Sequence, residues 1–550
     1  MQNPWVFRSW IILISILILG PALFPGFVLS YDMVWVPDYS ITRTDVWGLG
    51  DSLPRAVPSD GVVALLGFVL PAQLVQKVIL LATLIAAGFG IGKLIGDESQ
   101  IAKFAGATFY LWNPFVAERL AMGHWPVLIG YAAIPWLIYG FQDQTRRLTR
   151  VLAVAATAIS PATGIAGVLT ILVVARGSIV DRLKWLLFAG SMNAPWIMAG
   201  LLHPTMGVTD TRAVEFFAAQ DSGYLGTFAS VLSLGGIWNS DVHLGSRELL
   251  ITWVWVLLLW AVMVFGFASA WQRHKTLLTQ LVVLGAVGLF IALFGWAASS
   301  ALSWLIETVP GAGLIRDGTR MLLLLAPLQA LSFGFGVKAI ANKFTSGKPV
   351  IAVGLTLVPL LAIPDLAWGV GGQLRAVDYP DSWYESQAAV ANHSDQGDIL
   401  ILPFESYRAP DWNNGRPVLD PSGRFYDRNT VVNDDLYVSG ELIPGENPRA
   451  KEIKAILRTS DPAPKLSAAG IAIVVADNSE AAQSINGERL YESTDRIVIA
   501  LDGPVAVEGP DKFRTWLMIA AWLAPALAKI LGTVFAIIRR NSQFPGRKRI

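Results

Sequence analysis

Asp32 is the first acidic residue of the chain, and it follows directly on the first apolar stretch, residues 10–29. It stands among Tyr31, Met33 and Trp35, with Asp38 six residues on, behind Pro37. A carboxylate held at the mouth of a membrane helix is costly, and for that reason it is a functional candidate. Apolar neighbours are expected to raise its pKa and make it a better proton acceptor. The chemistry implied is base catalysis on a lipid-linked substrate, with Asp32 as the base and Asp38 placed to orient an acceptor or hold a metal. Asp45, Asp51 and Asp60 lie farther along the same loop and read as solvated or capping residues, Ser59-Asp60 being a helix-start signal.

Two further groups of residues could face such a base. The run Asn113–Trp125 is a polar knot between two apolar segments. Asn113-Pro114 starts a short helix, and Glu118 and Arg119 are charges at membrane depth that must find partners. They form a structural ion pair, or Arg119 and His124 touch a lipid phosphate or sugar. The run Leu314–Arg320 opens an apolar segment at 321–340. Arg316 and Arg320, four residues apart, share a face if that turn is helical. Two guanidinium forks at a helix N-terminus make an anion site, and phosphate is the expected ligand. These residues, Glu118, Arg119, His124, Arg316 and Arg320, are the candidate substrate-binding set.

Other chemistries have little support. The 203–248 loop holds His203, Asp210, Arg212, Glu215, Asp221, His243 and Arg247, but two histidines forty residues apart are no metal motif. Its aromatic stretch 215–238 reads as a membrane-surface segment. No P-loop, dinucleotide fingerprint, nucleophile elbow or zincin motif is present. Cysteine is absent, which excludes disulfides and thiolate chemistry. The residues point to no definite cofactor; one or two aspartates make a poor metal site, and a divalent cation is left as an open alternative.

The elements that must position these residues are membrane helices. Of 550 residues, 53% are hydrophobic and only 15% charged, with mean hydropathy +0.50, well short of the ~25% charge of soluble domains. A net charge of +1 gives no argument for nucleic acid. Apolar segments lie near 10–29, 73–95, 101–112, 125–141, 151–175, 183–202, 249–270, 277–296, 321–340, 349–366 and 514–538. Basic clusters at 146–150, 176–184, 273–275, 338–348 and 539–549 belong on the cytoplasmic side. Both of the first two can be inside only if segment 151–175 enters and returns, broken at Ser160-Pro161. The result is a polytopic α-helical membrane protein of about twelve passes, with 30–72, 113–124, 203–248, 297–320 and 367–513 outside. Residues 367–513 carry strand runs at 398–403, 471–476 and 496–500 and helical stretches near 382–392 and 448–458, a small extracytoplasmic α/β domain. Its Asp411–Arg416 loop is polar and aromatic, as glycan sites are. The expected division is 1–366 membrane core, 367–513 α/β domain, and 514–550 a last membrane helix with a basic cytoplasmic tail.

Together these residues resemble the GT-C superfamily of membrane glycosyltransferases. More narrowly, Asn113–Trp125 followed by Leu128–Trp136, the Arg316–Arg320 element and the Leu466–Ile471 approach to a strand are similar to the membrane cores of mycobacterial-type cell-wall arabinofuranosyltransferases. The resemblance implies a catalytic acid in the first outer loop, which falls on Asp32 with Asp38 second. It implies a polyprenyl-phosphate sugar as donor, arabinofuranose or mannose in class, a cell-envelope glycan or glycolipid as acceptor, and the bacterial plasma membrane as location. The paired acids of some relatives and the carbohydrate-binding modules of the largest ones are absent. The alternative is a non-catalytic lipid carrier, a flippase-like transporter or an envelope assembly scaffold in which the arginine pair holds a lipid phosphate without chemistry.

Overall fold

The computed structural model describes residues 4–542 apart from 52, 98, 204–211, 439–440 and 504–508; Asp210 and the basic residues 547–549 of the expected tail lie outside the described residues. The described chain is mostly helical, with small sheets. Among the described residues three helices, Pro4–Leu23, Ala72–Ile95 and Leu250–Ala297, are long and apolar enough to cross a membrane. Two bent pairs raise that to as many as five: Gly318–Leu324 with Ala326–Ala341, at 42°, and Lys348–Ala362 with Pro364–Gly372, at 75°. The chain breaks at Ser160-Pro161 as its residues predict. Helix Arg147–Thr157 ends, Ser160 accepts from the Thr163 N–H, and helix Pro161–Val174 begins. At 1.5 Å per residue these pieces measure roughly 16 and 21 Å, each short of the ~30 Å hydrocarbon layer.

The 48-residue helix Leu250–Ala297 has non-helical dihedrals at His274. Trp253 packs against Gly223, and Gly295 against Ala218. Five residues of chain reach at most about 18 Å, whereas a straight helix from 253 to 295 would measure about 63 Å. The run therefore doubles back around His274, where Arg273 and Lys275 interrupt the apolar pattern.

At the other end of the bundle, residues 368–372 all have positive φ. Three of the five are glycine, which carries this conformation without the penalty of about 1–2 kcal/mol that L side chains meet. This left-handed turn leads into strand Ala376–Val377, which pairs antiparallel with Phe27–Val28. Beyond it a five-stranded sheet runs in the order Glu488–Glu492, Ile497–Ala500, Ile471–Ala476, Asp398–Leu402, Thr430–Val431. Side chains alternate across it. Ile399, Ile401, Val475 and Val498 join the main core shared with the helices, while Leu400, Leu402, Val474 and Ile499 pack on Ile453 and Leu466 behind. One face of the sheet thus belongs to the same core as Met33–Val36 of the loop that carries Asp32. The Asp411–Arg416 loop is used in the same way: Arg416 donates to Ser30 Oγ at 2.6 Å and to the Ala121 carbonyl at 2.9 Å, so it anchors the first loop.

Candidate functional site

A cavity of about 1380 Å³ opens where helices, loops and sheet meet. Its wall includes Tyr31, Asp32 and Arg55 from the first loop, His124, the Ser160-Pro161 break, and Trp196. Trp238, Arg316, Asp317 and Arg320 complete the helical side, and Phe404–Tyr407 with Tyr437 come from the sheet side. Four stretches far apart in sequence, 31–32, 124, 316–320 and 407, therefore share one space.

Backbone bonds fix Asp32 there. Its N–H donates to the Met122 carbonyl at 3.1 Å, and the Tyr31 N–H to Pro417 at 2.7 Å. This close approach requires Gly123. Its φ is +77°, and a Cβ would sit 2.2 Å from the Ser30 carbonyl oxygen and 2.3 Å from the Met33 nitrogen. Gly123→Ala is expected to push the first loop off the knot, costing about 1–3 kcal/mol and moving Asp32. The check is a lowered Tm together with reduced turnover; an unchanged Tm would show that the loop yields freely.

Asp32 faces the lumen with 39% of its side chain accessible, although protein surrounds it. Tyr407 Oη donates to Oδ1 at 2.5 Å, and His124 Nε2 is 3.1 Å from Oδ2. Burial alone would raise its pKa. Hydrogen bonds from His124 and the Tyr407 hydroxyl and the charge of Arg320 outweigh it and bring the value down to about 2. The expected upward shift is thus reversed, because the apolar neighbours Met33 and Trp35 turn into the core and polar donors meet the carboxylate. Asp32 is ionised at neutral pH, with one lone pair on each oxygen still available.

Behind it the knot is tied to the 316–320 run. Arg119 Nη1 donates to Asp317 Oδ2 at 3.2 Å and lies 2.9 Å from His124 Nδ1, while Nη2 donates to Thr319 Oγ1 at 2.6 Å. Arg320 Nε donates to the same Asp317 oxygen at 2.8 Å. Burial raises the Asp317 carboxyl, but these two guanidinium groups hold it far below the usual carboxylate range. Arg320 keeps 32% of its side chain exposed to the cavity. Arg316 lies 4.5 Å over the Phe217 ring; burial and the nearby Arg55 charge bring its pKa down to about 10, so it stays a cation at neutral pH.

The run that carries the two arginines is not the start of an α-helix. Gly318–Leu324 is a 3₁₀ helix, bent against Ala326–Ala341, so no macrodipole argument applies to it. Both arginines reach the cavity nonetheless.

The other expected site residues sit elsewhere. Asp38 is exposed and outside the cavity wall. Glu118 is buried, accepting from the Gly236 and Ile237 N–H groups at 3.2 Å each, and does not pair with Arg119. Arg119 is 1% exposed and lies behind the wall, not in it. Asp45, Asp51 and Asp60 pair with Arg43, Arg449 and Arg424. Ser59-Asp60 provides no cap, because Pro58 holds that position. Sequence reasoning missed Tyr407, Asp317 and the cavity walls Phe217, Trp238 and Asp241. Only Asp317, lying between two arginines, carried a readable signal.

Among the described residues no three His, Asp or Glu side chains converge as metal ligands. The groups bonded to Asp32 are a hydroxyl and an imidazole, with the charge of Arg320 nearby. The geometry therefore offers an ionised base beside two cations.

No family model matches the chain, and no curated protein matches it significantly. Among solved structures it superposes on the cryo-EM structure of arabinofuranosyltransferase AftD from Mycobacteria with a TM-score of 0.59 at 15% identity, over 93% of this chain and 40% of that one. A mutant of the same enzyme matches with a TM-score of 0.56 at 15% identity, over 92% and 42%. An Archaeoglobus fulgidus oligosaccharyltransferase, solved with Zn and sulfate, matches at 0.39 and 12% identity over 86% and 68%, too distant to argue from. The chain thus spans about 40% of the AftD chain. At such identities the likeness is one of fold: the chain shares the fold of the part of AftD that it covers.

Proposed function

We propose that this chain is an inverting membrane glycosyltransferase. It moves a sugar of the arabinofuranose or mannose class from a polyprenyl-phosphate donor to a cell-envelope glycan or lipid acceptor at the outer face of the plasma membrane. The observation that carries this reading is the ionised Asp32 carboxylate, held by Tyr407 and His124 in a cavity that also holds Arg316 and Arg320. GT-C architecture supports glycosyl transfer in general. The arrangement of basic clusters supports about twelve passes with the cavity outside. The division at 366 and 513 follows from the same reasoning, residues 367–513 forming the outer α/β domain.

In this mechanism the acceptor hydroxyl lies against Asp32 with its oxygen aimed at the anomeric carbon. As the new C–O bond forms and the bond to the phosphate breaks, the hydroxyl proton passes to Asp32. Polyprenyl phosphate departs with an added negative charge, which Arg316 and Arg320 offset. A carboxylate of pKa about 2 accepts that proton only late, once bond formation has acidified the hydroxyl. No acid is needed for the leaving group, because phosphate leaves as an anion.

The test is incubation of the membrane-reconstituted chain with a labelled polyprenyl-phospho-sugar and envelope acceptors. Turnover is expected. Binding without turnover would support the lipid carrier, a reading that the broken helix at the cavity wall favours.

The pH profile gives a second check. Asp32 must be ionised, so kcat/KM should stay flat from pH 7 down to about pH 4 on its account. Tyr407→Phe removes a donor to the charged form, so the Asp32 pKa rises and activity is lost at a higher pH than in the wild type. An acid limb that stays in place would remove Tyr407 from the site.

A further inference from the structure

His124 is held from both sides. Arg119 Nη1 is 2.9 Å from Nδ1, and Asp32 Oδ2 is 3.1 Å from Nε2. A guanidinium has N–H groups and no lone pair, so Nδ1 can only accept from it. The ring proton is then left on Nε2, where it points at Asp32. Arg119 is held in this orientation at both ends of its fork, Nη1 also donating to Asp317 and Nη2 to Thr319, while its buried Nε finds no partner. The charged groups around the ring are Asp32 on one side and Arg119 and Arg320 on the other, with Asp317 behind them.

We propose that Arg119 and Asp317 are positioning residues: they lock His124 as the neutral Nε2–H tautomer, which orients the Asp32 carboxylate toward the cavity without neutralising its charge. An imidazolium in that place would set N–H against N–H at Arg119 and would pair with Asp32, weakening it as a proton acceptor. Arg119 thus acts on the reaction through His124 and touches no substrate. The inference rests on the reading of Asp32 as the base, but its test needs no turnover.

The chain has five histidines, so solid-state ¹⁵N NMR of the full-length, histidine-labelled protein in lipid can resolve them, with His124 identified by its loss in His124→Asn. The expected result is a protonated Nε2 and a bare Nδ1, unchanged between pH 5.5 and 8. An Nδ1–H tautomer or an imidazolium at pH 7 would overturn the proposal, and the wild-type spectrum alone decides this.

The role of Arg119 is tested by the double variant Arg119→Met with Asp317→Leu. It removes the two fully buried charges together, and Arg320, which loses its Asp317 contact, is left as a cation that faces the cavity. His124, now facing Asp32 without an opposing cation at Nδ1, should titrate within that pH window. A ring that remains neutral would assign the lock to something else. Arg119→Lys, which returns the charge and one donor, is expected to restore the neutral ring; failure to restore it would also count against the proposal. A protein that transfers no sugar but shows the expected spectra would overturn the proposed function and leave the tautomer lock standing.

Discussion

Asp32→Asn is expected to fold and to lose about 10²–10⁴ in kcat, the range a positioned base contributes. Asparagine keeps the shape and can still accept from Tyr407, but its NH2 then faces the His124 Nε2–H, so a modestly lowered Tm is expected with the fold intact. What it loses is the capacity to take a proton. Asp38→Asn is the internal control. Asp38 is exposed and outside the cavity wall, so its variant should transfer sugar at nearly the wild-type rate. Equal loss in both variants would place the base elsewhere.

The second large effect falls on the arginines. Arg316→Ala and Arg320→Ala should each lower kcat/KM for the donor by about 10²–10³, as removal of one charge-stabilising donor does elsewhere. The two differ in what they leave behind. Arg316 rests over Phe217, and its loss should leave stability nearly unchanged. Arg320 shares Asp317 with Arg119, so its loss should also lower the Tm modestly. Lysine at either position is expected to rescue poorly, since a point charge does not replace a planar fork on phosphate. Steady-state kinetics varied in donor and in acceptor separate the effects. A rise confined to the acceptor KM would reassign these arginines to the acceptor.

Much of this site was legible because its parts break the local rules of an oily chain. An acid at a helix mouth, a charged knot between apolar segments and a basic pair just before an apolar segment all stand out against a chain only 15% charged. The break at Ser160 was legible from Pro and Gly chemistry, and the central strands from their β-branched runs. What sequence could not give was partnership. Tyr407 lies 375 residues from Asp32, and nothing in its own surroundings marks it. Asp317 lies between the two arginines in sequence, but its link to Arg119, 198 residues away, could not be read there; it carries the ion pairs of both Arg119 and Arg320. The pKa of Asp32 was misjudged because apolar neighbours in sequence pointed away from it in space. The edge strand Glu488–Glu492 escaped notice because it is polar and half exposed, without an apolar alternation. The aromatic stretch 215–238 read as a membrane-surface segment, and nothing in it marked Phe217 and Trp238 as walls of the cavity.

The claim that a single carboxylate drives direct displacement is tested most directly by the anomeric configuration of the product. Transfer from a polyprenyl-phospho-sugar of known configuration, followed by NMR of the new linkage, should show inversion at the anomeric carbon. A product with retained configuration would require a nucleophile on the enzyme and would contradict Asp32 as a simple base.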